Sequence, residues 1–316
     1  MSVLPDEARA ARRTGVFYSL SAYALWGLFP IYFKAIAAPP LEFLAHRVVW
    51  SAMFLTLLLG VQGRLPGLMR AAASSPIVLR SLLSACLLAA NWYIYIWAVA
   101  HGRVVDASLG YFITPLVSVS LGVLLFGEGM RKGQGFAIAL AAAGVSWLTW
   151  QFGELPWVGL ALAFTFGSYG AMRKTGVLGS LDGLTLEQVL LFPIAFGFLA
   201  WHAQRGDSGF FEAGGLQQAL LASTGPISAL PLGLFAAGAR LIPLSLIGVL
   251  QYVSPTIQLV LGLVLWHEPF GPSKLVGYAL IWIGLAVYGL EGILVARRRL
   301  GVEADELRRA APASIR

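Results

Sequence analysis

Long apolar runs separated by short polar connections set the pattern of this chain. The runs are Gly15–Ala38, Phe43–Val61, Pro76–Ala100, Val104–Phe126, Gln134–Gln151, Leu155–Met172, Thr185–His202, Leu216–Ala239, Leu244–Trp266 and Lys274–Ala296. A helix needs about 20 apolar residues to cross the hydrocarbon core of a bilayer. Lipid offers no partner to a backbone N–H or C=O, so runs of this length are expected to be helical. Several connections hold only a few residues, which leaves no room for a soluble domain. The pattern predicts an all-α integral membrane protein with ten transmembrane helices.

Two runs carry the same internal signal. Asp106–Glu128 reads DASLGYFITPLVSVSLGVLLFGE, and Leu246–Glu268 reads LIGVLQYVSPTIQLVLGLVLWHE. Pro115 matches Pro255, Gly122 matches Gly262 and Glu128 matches Glu268, each at a step of 140 residues, 255 minus 115. The same step joins Gly144 to Gly284, Gly27 to Gly167 and Lys34 to Lys174. One step fitting matches across both halves marks an internal duplication. Each half holds five spans, an odd number, so the second half enters the membrane from the opposite side. The expected organisation is a polar tail at 1–14, one five-helix repeat at 15–151, a second, inverted, at 152–297, and a tail at 298–316. Inverted repeats are a common build for secondary transporters, because the halves can exchange conformations around one central site. Some channels share this build.

Composition and charge sharpen this picture. Of 316 residues, 58% are hydrophobic and 12% charged, about half the charged fraction of an ordinary soluble domain. The net charge of +7 is therefore no sign of nucleic acid. With the N-terminus inside, cytoplasmic segments hold Arg9, Arg12, Arg13, Arg64, Arg70, Arg131, Lys132, Arg173, Lys174, Arg240 and Arg297 to Arg299. Arg308, Arg309 and Arg316 of the C-terminal tail join them. The other side holds Lys34, Arg103, Arg205 and Lys274. That is the bias expected of a membrane protein with both termini in the cytoplasm. The lone cysteine, Cys86, permits no disulfide framework, and four scattered histidines make no metal motif. No cofactor is expected. The expected partners are a small-molecule substrate and the lipid bilayer.

Several strings taken together resemble one family. They are AYALWGLFPIYFK (Ala22–Lys34), HRVVWS (His46–Ser51), NWYIYIWAV (Asn91–Val99), ASLGYFITPL (Ala107–Leu116), YGAMRK (Tyr169–Lys174) and QYVSPT (Gln251–Thr256). In order and spacing they resemble the RarD branch of the EamA-type transporters, within the drug/metabolite transporter superfamily. The resemblance spans Gly15 to Arg297. It implies ten helices, two EamA repeats and a plasma-membrane location, and carries no substrate with it.

Polar residues inside the runs are the candidate machinery, because ionisable groups at membrane depth are costly and usually functional. Glu42, His46 and Arg47 cluster early in the second run. Glu42 and His46 are four apart and share a helix face, and a histidine can titrate near neutral pH. The cluster is expected either to handle a proton or to form an ion-pair group reaching for headgroups. Asn91 and Tyr95 share a face of the third run, and Asn91 needs a hydrogen-bond partner there. Ser108 and Tyr111 precede Pro115, while Gln251 and Tyr252 precede Pro255. A proline frees a carbonyl one turn earlier, so both prolines are expected to act as hinges, with packing kinks as the alternative. Asn91, Tyr95, Ser108, Tyr111, Tyr169, Gln251 and Tyr252 are the expected lining of a substrate cavity. Glu187 is expected to be structural at the start of the seventh run unless it proves buried. Glu128 and Glu268 end helices, where the dipole disfavours a carboxylate; with Arg131 or Lys132 offsetting the first and Lys274 the second, they are expected to be structural pivots. Gly135, Ala139 and Ala143 on the fifth run, with Gly277 and Gly284 on the tenth, suit close helix packing. They are expected to brace the bundle or form a homodimer contact.

The expected function is a permease for a small organic metabolite or drug, driven by a proton or solute gradient or by exchange. A channel-like facilitator is the alternative. An intramembrane enzyme would need a paired aspartate, a serine–histidine dyad or a metal cluster, and the runs carry none.

Overall fold

The computed structural model describes residues 6–310 apart from 128, 175, 207, 208, 213, 240 and 243. They form α1 (Asp6–Lys34), α2 (Pro40–Val61), α3 (Leu65–Ala72), α4 (Ser75–Ala100), α5 (Val104–Phe126), α6 (Lys132–Phe152) and α7 (Trp157–Lys174). Then follow α8 (Ser180–Gln204), α9 (Gly209–Glu212), α10 (Gly215–Ala239), α11 (Leu244–Leu250), α12 (Val253–Val260), a π-helical turn at Leu261–Leu265 and α13 (Pro272–Ala310). Local chemistry sets many of the ends. Proline stands in the first turn of α2, α3 and α4, where a missing N–H costs nothing. Gly127 and Gly153 close α5 and α6 in the left-handed conformation, at φ 63° and 69°.

Among the described residues, eight helices are long and apolar enough to cross a membrane, in α1, α2, α4, α5, α6, α8, α10 and α13. Two of the ten expected runs differ. Leu155–Met172 forms the 18-residue α7. Leu244–Trp266 is broken at Gln251–Tyr252, between α11 and α12. The missing N–H of Pro255 explains the break, since the carbonyl it would serve is that of Gln251. Asp6 already belongs to α1, and α13 continues past the tenth run as far as Ala310. The short α3 escaped the sequence reading altogether. It tucks Leu68 against Leu59 and Leu186.

Large apolar side chains face outward, and polar side chains are buried within an otherwise apolar interior. Leu57, Leu124, Phe164 and Val264 are exposed, while Glu42, Arg47, Ser84, Asn91, Ser108, Glu187 and Gln188 are buried. Helices in lipid gain little from burying leucine, so they associate through close packing and hydrogen bonds.

The packing partners come in matched sets. We call residues one repeat step apart mates. Helix α1 packs on α12 and α10, and its mate α7 packs on α5 and α4. Helix α2 packs on α10, and its mate α8 packs on α4. The mates α2 and α8 pack on each other, as do α5 and α12, and α6 and α13. Single positions repeat the scheme. A Cβ on Gly27 would lie 2.8 Å from Ile257, and one on Gly167 would lie 3.0 Å from Val117, the mate of Ile257. The α6–α13 contact runs through Ala137, Gly144 and Leu148 against Gly277, Ile281 and Gly284. Ala139 and Ala143 are exposed on another face of α6. The two halves therefore interdigitate, and both major cores draw on both halves.

Charged contacts gather at two ends of the bundle. One end holds Arg64 with Asp182 and Arg173 with Glu187. The other holds Lys34 over the Trp266 ring, Lys274 with Asp106 and Arg103 with Glu154. Glu128 lies outside the described residues. Its mate Glu268 does not sit against a helix dipole offset by Lys274, as its place after a run suggests. His267, at φ 50°, turns the chain back, and both Glu268 oxygens accept backbone N–H bonds of 2.8 Å from Val104 and Val105. The carboxylate thus caps the N-terminus of α5, where the dipole favours it. Burial raises its pKa, and those two hydrogen bonds and Lys34 act against the rise.

Candidate substrate site

Helix α2 carries Glu42, His46 and Arg47 within two turns, and the three part company. His46 stacks on Phe210 of α9 at 5.0 Å between ring centroids. Its Nε2 stands 3.9 Å from Glu42, and both side chains are buried. Arg47 points elsewhere, so it does not flank His46. Its guanidinium carbon lies 3.8 Å from the ring centroid of Trp92 on α4, 5.3 Å from Phe33 and 6.0 Å from Phe29 on α1. Arg47 is only 5% exposed, and its Nε has no hydrogen-bond partner among the described residues. No carboxylate among the described residues pairs with it; Glu42 faces His46 instead. The phenols of Tyr32, Tyr95 and Tyr111 lie within electrostatic reach. Tyr95 is buried with its hydroxyl unpaired among the described residues.

The mate of Arg47 is Glu187 on α8, and the sequence reading passed over that relation. Glu187 stands in the second turn of α8, not at its start, because α8 begins at Ser180. It is 1% exposed and well partnered. Ser84 donates to it at 2.6 Å, Tyr169 donates at 3.1 Å, and Arg173 lies at 3.5 Å. Tyr169 and Arg173 are the mates of Phe29 and Phe33. The same two positions of the first helix in each half thus cover the same position of the second helix, once with rings around a cation and once with donors around an anion.

One cavity is walled by Phe33, a ring that covers Arg47, and another by Glu187 itself. The first, of about 530 Å³, lies at the Lys34 end, with Lys34, Phe33, Phe43, Pro39 and Ile96 in its wall. The second, of about 130 Å³, lies at the opposite end, with Arg80, Ser84, Arg173 and Glu187 in its wall. Only the first falls in the usual range for a small-molecule site, about 300–1,000 Å³.

The comparisons with known proteins agree with a transport machine. The model of the EamA-like transporter family matches residues 13–150. An uncharacterized transporter, YojE of Bacillus subtilis, is 42% identical over 288 residues, covering 88% of this chain and 94% of its own. Protein RarD of Escherichia coli is 36% identical over 287 residues, covering 90% of this chain and 97% of its own. The chain belongs to the RarD-type EamA transporters. Protein RarD of Streptomyces exfoliatus, at 38% identity and 92% coverage of this chain, is a further RarD-type relative. A crystal structure at 18% identity superposes with a TM-score of 0.57, covering 91% of this chain and 99% of that one. It shares the fold of this RarD-type transporter. The protein is a multi-pass membrane protein, and its relatives are named transporters.

The remaining candidates divide by what holds them. Tyr95 and Tyr111 meet edge to face at 5.6 Å beside Arg47, so they belong to its surroundings. Asn91 lies one turn below Tyr95 and donates to the Leu162 carbonyl at 3.0 Å and to Thr165 at 2.9 Å. Those bonds tie α4 to α7. Ser108 is buried and donates to the Val105 carbonyl, which also accepts from Tyr278; it is packed into the α5–α13 contact. Tyr169 holds Glu187. Gln251 and Tyr252 form the break before α12, with Tyr252 stacked on Phe112 at 6.4 Å. Pro115 lies inside an unbroken α5, where Thr114 bonds back to the Gly110 carbonyl at 2.9 Å. Pro255 lies in the first turn of α12. Ser84 was missed as a partner of Glu187. Adding the repeat step to Arg47 and Phe33 leads directly to Glu187 and Arg173.

Proposed function

We propose that this protein is a secondary transporter that moves a small organic solute across the bacterial plasma membrane by alternating access. In this reading ten membrane spans form two inverted five-helix repeats. Helix α7 and the broken α11–α12 segment supply the sixth and ninth. Both termini lie in the cytoplasm. The matched packing of mates supports the inverted repeat, since the largest contacts recur with the halves exchanged. The observation that carries the mechanism is the pair of end cavities. Phe33 walls one, and its mate Arg173 walls the other. Exchanging the conformations of the halves would close the larger and open the smaller. The gradient that drives the cycle would be of protons or solute, or the cycle would run by exchange.

Two experiments test this reading. Purified protein in proteoliposomes should give saturable flux and counterflow of any solute that raises its thermal stability. Linear, unsaturable flux would make it a channel. Cysteines placed at Arg131 and Arg205 in a Cys86-free background should label from opposite sides, the first from the cytoplasm. Labelling of both from one side would sink the ten-span arrangement.

A further inference from the structure

We infer that the solute is an organic monocarboxylate, held by the in-plane N–H groups of Arg47, with its apolar body among Phe33, Trp92 and Tyr95. The inference rests on the transport reading of this site and names its substrate class.

The first observation is a buried cation with no counter-charge. An isolated charge out of water is costly and is ordinarily neutralised by a partner. Among the described residues Arg47 has three rings against it and neutral phenols within electrostatic reach, and no carboxylate paired with it. The Trp92 ring centroid lies 3.8 Å from the guanidinium carbon, within cation–π range. The Nε of Arg47 has no hydrogen-bond partner among the described residues, and the N–H donors of a guanidinium match a carboxylate. Tyr95 adds a buried hydroxyl without a hydrogen-bond partner among the described residues.

The mate site is the control. At Glu187 the fold supplies a tyrosine and an arginine from two equivalent positions of α7, and a serine from α4. At Arg47 the two equivalent positions on α1 are Phe29 and Phe33. This architecture can satisfy a charge at this position, and on the Arg47 side it leaves the charge open. A ligand is what remains to complete it.

The approach to the site has the same sign. Lys34 stands in the wall of the larger cavity, its ammonium 4.3 Å from the Trp266 ring and within electrostatic reach of the Glu268 carboxylate, which the backbone of α5 also holds. A cation in a cavity wall attracts anions. One guanidinium suits one negative charge. An amine would meet an unpaired arginine, and the ammonium of an amino acid would find no carboxylate beside Arg47. A neutral solute would leave the charge uncompensated.

The test uses the full-length protein in lipid nanodiscs and probes that differ only in charge. Thermal unfolding is followed with phenylacetate, phenylacetamide and phenethylamine, then with benzoate, benzamide and benzylamine. Phenylalanine serves as the zwitterion, and chloride and sulfate are matched in ionic strength. At least one carboxylate should raise the midpoint while its amide and amine do not. Arg47→Lys should weaken that response about tenfold or more, because the fork geometry is lost. Arg47→Met should abolish it and, without ligand, melt no lower than the parent, since replacing an unpaired buried charge by an apolar side chain relieves its desolvation.

An equal response to amide, amine or zwitterion overturns the assignment. So does an equal response to chloride or sulfate, a carboxylate response surviving in Arg47→Met, or no response to any carboxylate. Counterflow separates this failure from that of the transport reading. Phenethylamine moving by saturable counterflow equally in parent and Arg47→Met would end the carboxylate assignment and leave transport standing. Carboxylate binding that depends on Arg47 without any counterflow would do the reverse.

Discussion

Arg47 and Glu187 occupy the same position of the duplicated second helix, and their surroundings are opposites. Glu187 is closed in by Ser84, Tyr169 and Arg173. Arg47 is covered by Phe29, Phe33 and Trp92 and has no opposite charge among the described residues. The duplication preserved which backbone positions meet and let the chemistry at those positions diverge. The satisfied side reads as a latch between α8 and α7, with a small cavity beside it. The unsatisfied side reads as a binding site, with a large one.

The comparison breaks most sharply under charge removal. Arg173→Ala leaves Glu187 buried without its cation, and removing one partner of a buried pair is strongly destabilising. Ser84 and Tyr169 still bond the carboxylate, and Arg173 is partly exposed. The expected loss is therefore about 2 kcal/mol, in the range for charged hydrogen bonds. It should appear as a lowered unfolding midpoint, with faster modification of a cysteine placed at Ser84. Arg47→Met at the mate position should show no such loss. Equal destabilisation by both variants would mean that Arg47 is a structural charge and that the asymmetry lies only in the sequence.

Much of this was legible in the chain. The apolar runs gave the helices, because lipid forces every backbone group of a run into an internal hydrogen bond. The step of 140 residues marked equivalent positions that make equivalent contacts, Gly27 on Ile257 and Gly167 on Val117. Arg47 stood out by its depth. What covers it was not legible, because Phe29 and Phe33 come from α1 and Trp92 from α4, and only packing brings them together. Nor could sequence separate Arg47 from His46. Adjacent helix residues point about 100° apart, so a cluster along the chain became two sites. The polar groups of α4 misled in another way. Asn91 needed a partner, as expected, and found it in α7.

The proline mates give a second, smaller contrast. Pro115 lies within α5, whereas Pro255 opens α12 after the break at Gln251–Tyr252. An α-helix can regain a hydrogen bond only where the backbone is already helical. Pro115→Ala should therefore stiffen α5 and slow net flux several-fold with ligand binding unchanged, as expected of a hinge. Pro255→Ala should do less, because the backbone before it remains turned. Stopped-flow flux and equilibrium binding on the two variants separate these outcomes. Equal flux in parent and both variants would make the prolines packing features.

The smallest effect is expected at His46, and it is confined to one variable. His46 and Glu42 form a buried pair on the side of α2 away from Arg47, with Phe210 stacked over the imidazole. Its Nε2 has no hydrogen-bond partner among the described residues, and Glu42 is the charged group nearest to it there. An imidazole so placed can take a proton without disturbing a bond it already makes. If the cycle moves protons, His46 is the residue whose ordinary pKa lies near working pH. His46→Gln keeps the size of the side chain and removes that titration. Net flux should then lose its dependence on external pH, while exchange at equal solute concentrations on both sides stays within about twofold, since exchange needs no net proton movement. The stability change should be below about 1 kcal/mol, because no hydrogen bond of the imidazole is broken. A variant that keeps the parent's pH profile would remove His46 from coupling and leave the pair as α2's packing against α9. Loss of exchange together with net flux would place His46 in solute binding and extend the site across α2 from Arg47.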